Sequence, residues 1–157
     1  MRRTDRELRD PADIRAVLDR ADVCRLAMAD GNIPYLVTMN FGLRRGEKIV
    51  LYLHAAHEGK KIDILTRNNL VCFGADIEHE LLISATGTSC GCSMRYRSIV
   101  GMGRIAFVTE RSEKLEALEA IMRHYAQEPP YVFADAMIDR TTILRLDATE
   151  ITGKQRP

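Results

Sequence analysis

The sequence predicts an α+β fold: a mostly antiparallel, six-stranded sheet closed into a small barrel, with helices flanking it. Three observations lead there. Short apolar runs are separated by turn residues, at Asp30-Gly31 and again at Arg44-Arg45-Gly46-Glu47, which is hairpin punctuation. Helical periodicity is confined to a few segments and does not alternate strand by strand, as a doubly wound parallel sheet requires. Gly101 and Gly103 interrupt a long apolar run, the mark of a bulge or of a close backbone approach. A sheet of this kind removes its exposed edges by closing on itself.

The elements follow in order. Asp10-Pro11 reads as an N-cap followed by proline at the first helical position, and Ile14, Val17 and Leu18 give the helix at 11–20 one apolar face. Three strands are expected next, at 23–29, 33–41 and 48–54. After His54 the apolar spacing changes to that of a helix, at 58–67. Asn68-Asn69 ends it, and a strand follows at 70–75. Residues 78–94, rich in Gly, Ser and Thr, read as irregular. A long strand covers 95–108. Leu115, Leu118, Met122 and Tyr125 then share one face of a helix at 110–127, with Thr109 as its candidate cap. A short helix is expected at 131–139 and a last strand at 143–151, with Thr152-Gly153-Lys154 as a terminal loop.

Composition narrows the function. The chain has 157 residues, 29% charged and 46% hydrophobic, with a net charge of +1. One domain, 1–157, is expected from that length. So small a charge argues against a nucleic-acid binder, although Arg2, Arg3, Arg6 and Arg9 crowd one end. No 18-residue apolar run exists, and MRRTDRELRDP carries no apolar h-region. A cytoplasmic protein is therefore expected, with Cys24, Cys72, Cys90 and Cys92 as free thiols.

The stretch LYLHAAHEGKKIDIL at 51–65 holds the chemistry worth weighing. His54 and His57 are three apart, but His54 falls at a strand end, so the pair does not share a helix face. Zinc wants three or four ligands; Cys90, Cys92 and His79 are the other donors at hand, and no HExxH occurs. A zinc or thiol site at Cys90 and Cys92 is the weakest of the readings, and no metal is expected. Gly59-Lys60-Lys61 opens a helix, where unpaired N–H groups and two ammonium groups suit a phosphate. Two lysines on a solvated helix start have the same pattern. Walker, GxGxxG and GxSxG motifs are all missing. Thr38, Met39 and Asn40 in an apolar strand fit simple alternation or a strand that meets a polar heterocycle, and Ser98 carries the same two readings.

An ordered set of segments resembles a known family: MRRTDRE, PYLVTMNF, LYLHAAHEGKKIDIL, YRSIVGMGRIAFV followed by SEKLEALEAIM, and EITGK. Together they resemble the nitroimidazole-resistance (Nim-like) branch of the pyridoxamine 5′-phosphate oxidase-related flavoproteins, over roughly 1–154. The resemblance implies a split β-barrel that binds FMN at a homodimer interface, each flavin lined by both chains. It implies that Val37, Thr38, Met39 and Asn40 line the flavin ring, and that Lys61, with Lys60 beside it, grips the phosphate. It places Ser98 against the flavin and His54 beside the ring. The implied activity is an FMN-dependent oxidoreductase passing electrons, from a nicotinamide or another donor, to a small acceptor such as a nitroaromatic. His54 is the expected catalytic proton donor, because imidazole titrates near neutral pH. The alternative is a flavin- or haem-binding module without turnover, with His54 or His57 as haem ligand. The oxidases proper carry SRK where this chain has Gly59-Lys60-Lys61, and an arginine-rich C-terminal segment with a tryptophan. This chain ends in GKQRP and has no tryptophan, so vitamin B6 oxidation is not expected.

Overall fold

A computed structural model describes residues 3–126 and 128–156. Arg2, from the basic run, and residue 127, the expected end of the third helix, lie outside the described residues. The elements are β1 (Glu7–Leu8), α1 (Pro11–Arg20), β2 (Cys24–Asp30), β3 (Ile33–Met39), β4 (Phe41–Leu43), β5 (Val50–Ala55), α2 (Lys60–Arg67), β6 (Leu70–Leu82), β7 (Ser93–Val108), α3 (Arg111–Tyr125), α4 (Asp135–Arg140) and β8 (Thr142–Arg156). Every strand pairing among them is antiparallel. The strands run in the order β3-β2-β6-β7-β8-β5-β4, with β1 added beside β8.

The six expected strands are present, and one of them explains the barrel. The strand expected at 33–41 is broken at Asn40 into β3 and β4. Its first part pairs with β2 and its second with β5, so the two ends of the sheet meet in one stretch of chain. Inside lie Leu26, Phe41, Leu51, Leu53, Phe73, Ile99, Ile105, Leu144 and Leu146, closed off by Val17 and Leu18 of α1 and Ile64 and Leu65 of α2. β5 is buried on both faces, because Tyr52 points outward into a second cluster with Val108, Ala117, Ala120, Ile121 and Ile143 under α3. A strand covered on both faces reads as the continuous apolar run IVLYL rather than as an alternation.

Local chemistry sets the boundaries. The Asp10 carboxylate accepts from the Ala12 N–H at 2.8 Å, with Pro11 opening α1, as the N-cap pattern requires. Gly31 takes φ +60° in the two-residue β2–β3 loop. Most boundaries shift by a residue or two, β1 is an addition, and four differences bear on the fold. Glu110, not Thr109, is the N-cap of α3, and no side chain caps it. The short helix begins at Asp135 rather than 131. β8 continues through Thr152-Gly153-Lys154, which pair with Val100, Ile99 and Ser98. β6 runs on to Leu82 through a bulge at Glu78, where φ is +61°, so only 83–92 is irregular. The glycine expectation holds at β7. A bulge against β8 falls between Met102 and Gly103, and a Cβ on Gly101 would lie 2.5 Å from the Phe73 ring. Among the described residues, no helix is long and apolar enough to cross a membrane.

Candidate functional site

Three chain segments meet where the barrel strand breaks. β3 has β2 on one side and no strand on the other, so alternate residues turn their backbone N–H and C=O outward. Val37 packs partly into the core, while Thr38 is exposed and pairs with Arg25 of β2. Phe41 pairs with Leu53; one step further lie Asn40 and His54, both exposed. Five residues beyond His54, Gly59 turns the chain into α2 with φ +122°, a conformation natural to glycine. No side chain caps that helix start.

Lys60 and Lys61 are the first two residues of α2. The Lys61 side chain is half-buried, and its Nζ lies 3.5 Å from the Met39 thioether. No carboxylate among the described residues pairs with it. Burial without a counter-charge lowers its pKa, as desolvation of a cation should. The Lys60 Nζ sits 4.7 Å from the centre of the Tyr35 ring, a cation–π distance. Tyr35, Val37 and Met39 alternate along one face of β3, packed against or within the core. Two cations at a helix start thus lie along one strand, Lys60 over Tyr35 and Lys61 at Met39, with no ion-pair partner among the described residues.

The expected site residues therefore fall into two groups. Val37, Thr38, Met39, Asn40, His54, Lys60 and Lys61 fall on one strip of chain around the β3–β4 break, Val37 and Met39 on its core side with Lys61 against Met39, and Thr38, Asn40 and His54 exposed. Ser98 does not join it within a single chain; it lies on β7, three strands from β3, between Asp76 on β6 and Lys154 on β8. Two further residues were not singled out from sequence. Tyr35 supports Lys60, and its place in the alternation of IPYLVTM was the available signal. Lys154 stands beside Ser98 without an ion pair among the described residues, its Nζ 5.9 Å from the Tyr96 ring. It was hidden because its segment reads as a loop. His57, weighed from sequence only as a metal donor or haem ligand, has its Nδ1 2.8 Å from Thr142 Oγ1, which ties the loop before α2 to the start of β8.

The other histidine and cysteine candidates disperse. His79 binds Asp76 at 2.7 Å, Cys90 and Cys92 are exposed, and no group of three or more His, Cys, Asp or Glu among the described residues is placed to hold a metal. A cleft lined by Glu78, His79, Glu80, Arg95 and Arg97 lies at the β6 bulge. Its charges are already paired, Arg95 with Glu80 at 2.6 Å and Glu78 with Arg20 and Arg97.

Comparison with known proteins agrees with this architecture. The family model for pyridoxamine 5′-phosphate oxidase matches residues 10–155. A candidate 5-nitroimidazole antibiotic resistance protein from Bacteroides thetaiotaomicron shares the fold at a TM-score of 0.82 and 33% identity, over 94% of this chain and 85% of that one. The flavocytochrome Anf3 from Azotobacter vinelandii aligns with a TM-score of 0.79 at 18% identity, over 100% and 72% of the two chains. The FAD and haem binding protein from Mycobacterium smegmatis gives 0.82 at 15% identity, over 96% and 73%. At those identities the last two show the fold alone. Among curated proteins, none matches in sequence. A family match across nearly the whole chain and a full-length relative at 33% identity lead to one conclusion: this chain belongs to the pyridoxamine 5′-phosphate oxidase family, on its nitroimidazole-resistance-like branch.

Proposed function

We propose that this protein is an FMN-dependent oxidoreductase, a cytoplasmic homodimer that passes electrons from a nicotinamide donor to a small acceptor such as a nitroaromatic. The observation that carries the reading is Lys61: a half-buried ammonium at a helix start, with a thioether and, among the described residues, no carboxylate as its neighbour. A desolvated cation is costly unless something anionic completes it. The uncapped first turn of α2 adds unpaired N–H groups at the same place. Lys61 and Lys60 would hold the phosphate of the flavin, and the open backbone edge of β3 at Val37, Thr38, Met39 and Asn40 would orient its ring. When bound, the flavin supplies the two-electron chemistry; the protein supplies orientation and charge.

His54 is exposed at the end of β5 beside Asn40, within the strip and open to a substrate. In this reading its imidazole delivers a proton to the acceptor. The His54→Ala variant should keep its flavin and lose at least tenfold in turnover with a nitroaromatic acceptor; full turnover would remove His54 from the mechanism.

Two features support the dimer. Ser98 and Lys154 lie apart from the Lys61 strip within one chain, as expected if each site is completed by a second copy. The outer face of the barrel also carries an apolar row in strand register, Leu36, Ala27, Cys72 and Met102, with Val100 nearby. Leu36 is 58% exposed and Val100 53%. Contiguous apolar surface of this kind marks an interaction face.

The absorbance spectrum of the purified protein tests the reading directly. Near-ultraviolet and blue flavin bands, with phosphate-bearing FMN retained after desalting, are expected. A colourless protein that takes up no FMN would overturn it, and a sharp Soret band would replace it with the haem-binding reading.

A further inference from the structure

The four cysteines of this chain are not alike. Cys24 is fully buried, and burial pushes its thiol up to about 12, which leaves it inert. Cys72 is half-buried in the apolar row on the outer face. Cys90 and Cys92 are exposed and flank a single glycine, in the loop that joins β6 to β7.

The loop is built to hold those two side chains in a tight turn. Residues Ser89–Gly91 form one 3-10 turn, closed by N–H bonds from Gly91 to Thr88 and from Cys92 to Ser89, at 3.0 and 3.1 Å. Ser84, Thr86 and Thr88 line up their hydroxyls at 2.8 and 3.0 Å beneath it. The Cys92 thiol leans on the Thr88 carbonyl at 3.8 Å. Among the described residues, the side-chain hydrogen bonds of this loop stay inside it, so it can rearrange without disturbing the barrel. Glycine between the cysteines leaves room for the Ser84 side chain, whose Oγ would lie 2.3 Å from a Cβ there and would have to turn aside.

Reach permits a bond between the two sulfurs. Residues two apart have Cα atoms within about 7 Å in any conformation, and a 3-10 turn draws them closer. A disulfide spans roughly 4.4–6.8 Å between Cα atoms. The ring it would close holds only one intervening residue and is open to solvent; strained, exposed disulfides are the readily reduced ones. Permanent cross-linking of the fold is therefore not its role.

We propose that Cys90-Gly91-Cys92 is a redox-active dithiol that closes reversibly to an intrachain disulfide by exchange with a small-molecule disulfide. One cysteine sulfur gives up its proton and attacks a sulfur of the small disulfide, releasing the first small thiol. The other cysteine then displaces the second small thiol and closes the ring. Two S–H bonds of the protein are lost and one S–S bond forms. Two electrons and two protons pass to the small disulfide, which leaves as two thiols. This chemistry is separate from the flavin reading and stands without it.

The test uses the full-length protein, reduced, desalted and equilibrated in glutathione buffers of stepped oxidised-to-reduced ratio. Acid quenching, alkylation of the remaining thiols and intact mass follow. The expected result is that two of the four thiols disappear together, both in the peptide carrying Cys90 and Cys92, with no persistent glutathione adduct. Excess reduced glutathione should reopen the ring. Cys90→Ser and Cys92→Ser, both at exposed positions, should each retain one glutathione as a stable mixed disulfide, because the resolving thiol is gone. Three outcomes would overturn the proposal: four alkylated thiols at every ratio, a bridge between two chains, or a native chain that retains the adduct as the variants do.

Discussion

At the scale of single residues, Lys61 shows how function and stability pull apart. Its ammonium is partly desolvated and faces a thioether rather than an acid, so the folded chain bears a cost that an anionic ligand relieves. Lys61→Met keeps the length of the side chain and removes the charge. Charge-assisted hydrogen bonds contribute about 1.5–3 kcal/mol, so FMN affinity, read by flavin fluorescence, should fall by roughly 10–100-fold. The melting temperature of the ligand-free protein should rise at the same time. A variant that binds FMN as tightly as the native chain would detach Lys61 from the phosphate. Burial acts in the opposite sense on Cys24 and Tyr52. Desolvation raises both to about 12, helped at Tyr52 by the nearby Glu116 and Glu113 charges. The folded chain then holds two protons that the unfolded chain releases from about pH 9 for cysteine and pH 10 for tyrosine. Their contribution is complete below those values and declines as pH climbs towards 12. Urea midpoints taken from pH 8 to 11 should therefore fall for the native chain, and less steeply for Tyr52→Phe; equal slopes would exclude Tyr52 as a cause.

At the scale of elements, the seat of α3 is the most exacting contact in the fold. A Cβ on Gly42 of β4 would lie 2.3 Å from the Ile121 backbone nitrogen and 2.4 Å from the Ala120 carbonyl carbon. Backbone cannot turn aside as a side chain can, so Gly42→Ala must lift α3 off the strand. The cost should reach the upper end of the overpacking range, about 3 kcal/mol, as a lower urea midpoint; an unchanged midpoint would mean that α3 is not seated as described. Nothing in the sequence marks Gly42, since the FGL of β4 looks like any strand with a small residue. α1 was legible, because its cap chemistry is local and complete in Asp10-Pro11. α3 was legible as a helix but not in its packed face or its first residue. Ala117, Ala120 and Ile121 are buried, with Leu118 partly so, whereas Met122 and Tyr125 of the expected face are exposed. Thr109 has the right side chain, but the chain turns one residue later. β6 and β8 outran their expected ends for a common reason. Beyond Ala75 and Ile151 their sequences turn polar, and the strands persist because partners in β7 pair with them, information that no single segment contains.

At the scale of the whole molecule, the barrel could be inferred from six strands and their turns, but its closure could not. Closure depends on Asn40, where one expected strand divides its pairing between opposite ends of the sheet. The same break brings Asn40, His54, Met39 and Lys61 together, so that part of the candidate site followed from motifs with neighbouring chain positions. Ser98 belongs to a different face, and no pattern within one chain could say what it meets. If a second copy supplies the answer, the apolar outer row is where the copies join. Val100 stands on that face in register with Gly74 and Thr152, and it is open enough that a charge there should alter the stability of a single chain by no more than about 0.5 kcal/mol. Val100→Glu should nonetheless halve the mass seen by light scattering, since two like charges would face each other across a two-fold axis without partners. It should also weaken FMN binding at least tenfold, although Val100 lies on β7, well away from its own Lys61. A monomeric variant with native flavin affinity would show that one chain makes the whole site. A native chain already monomeric at micromolar concentration would remove the interface altogether.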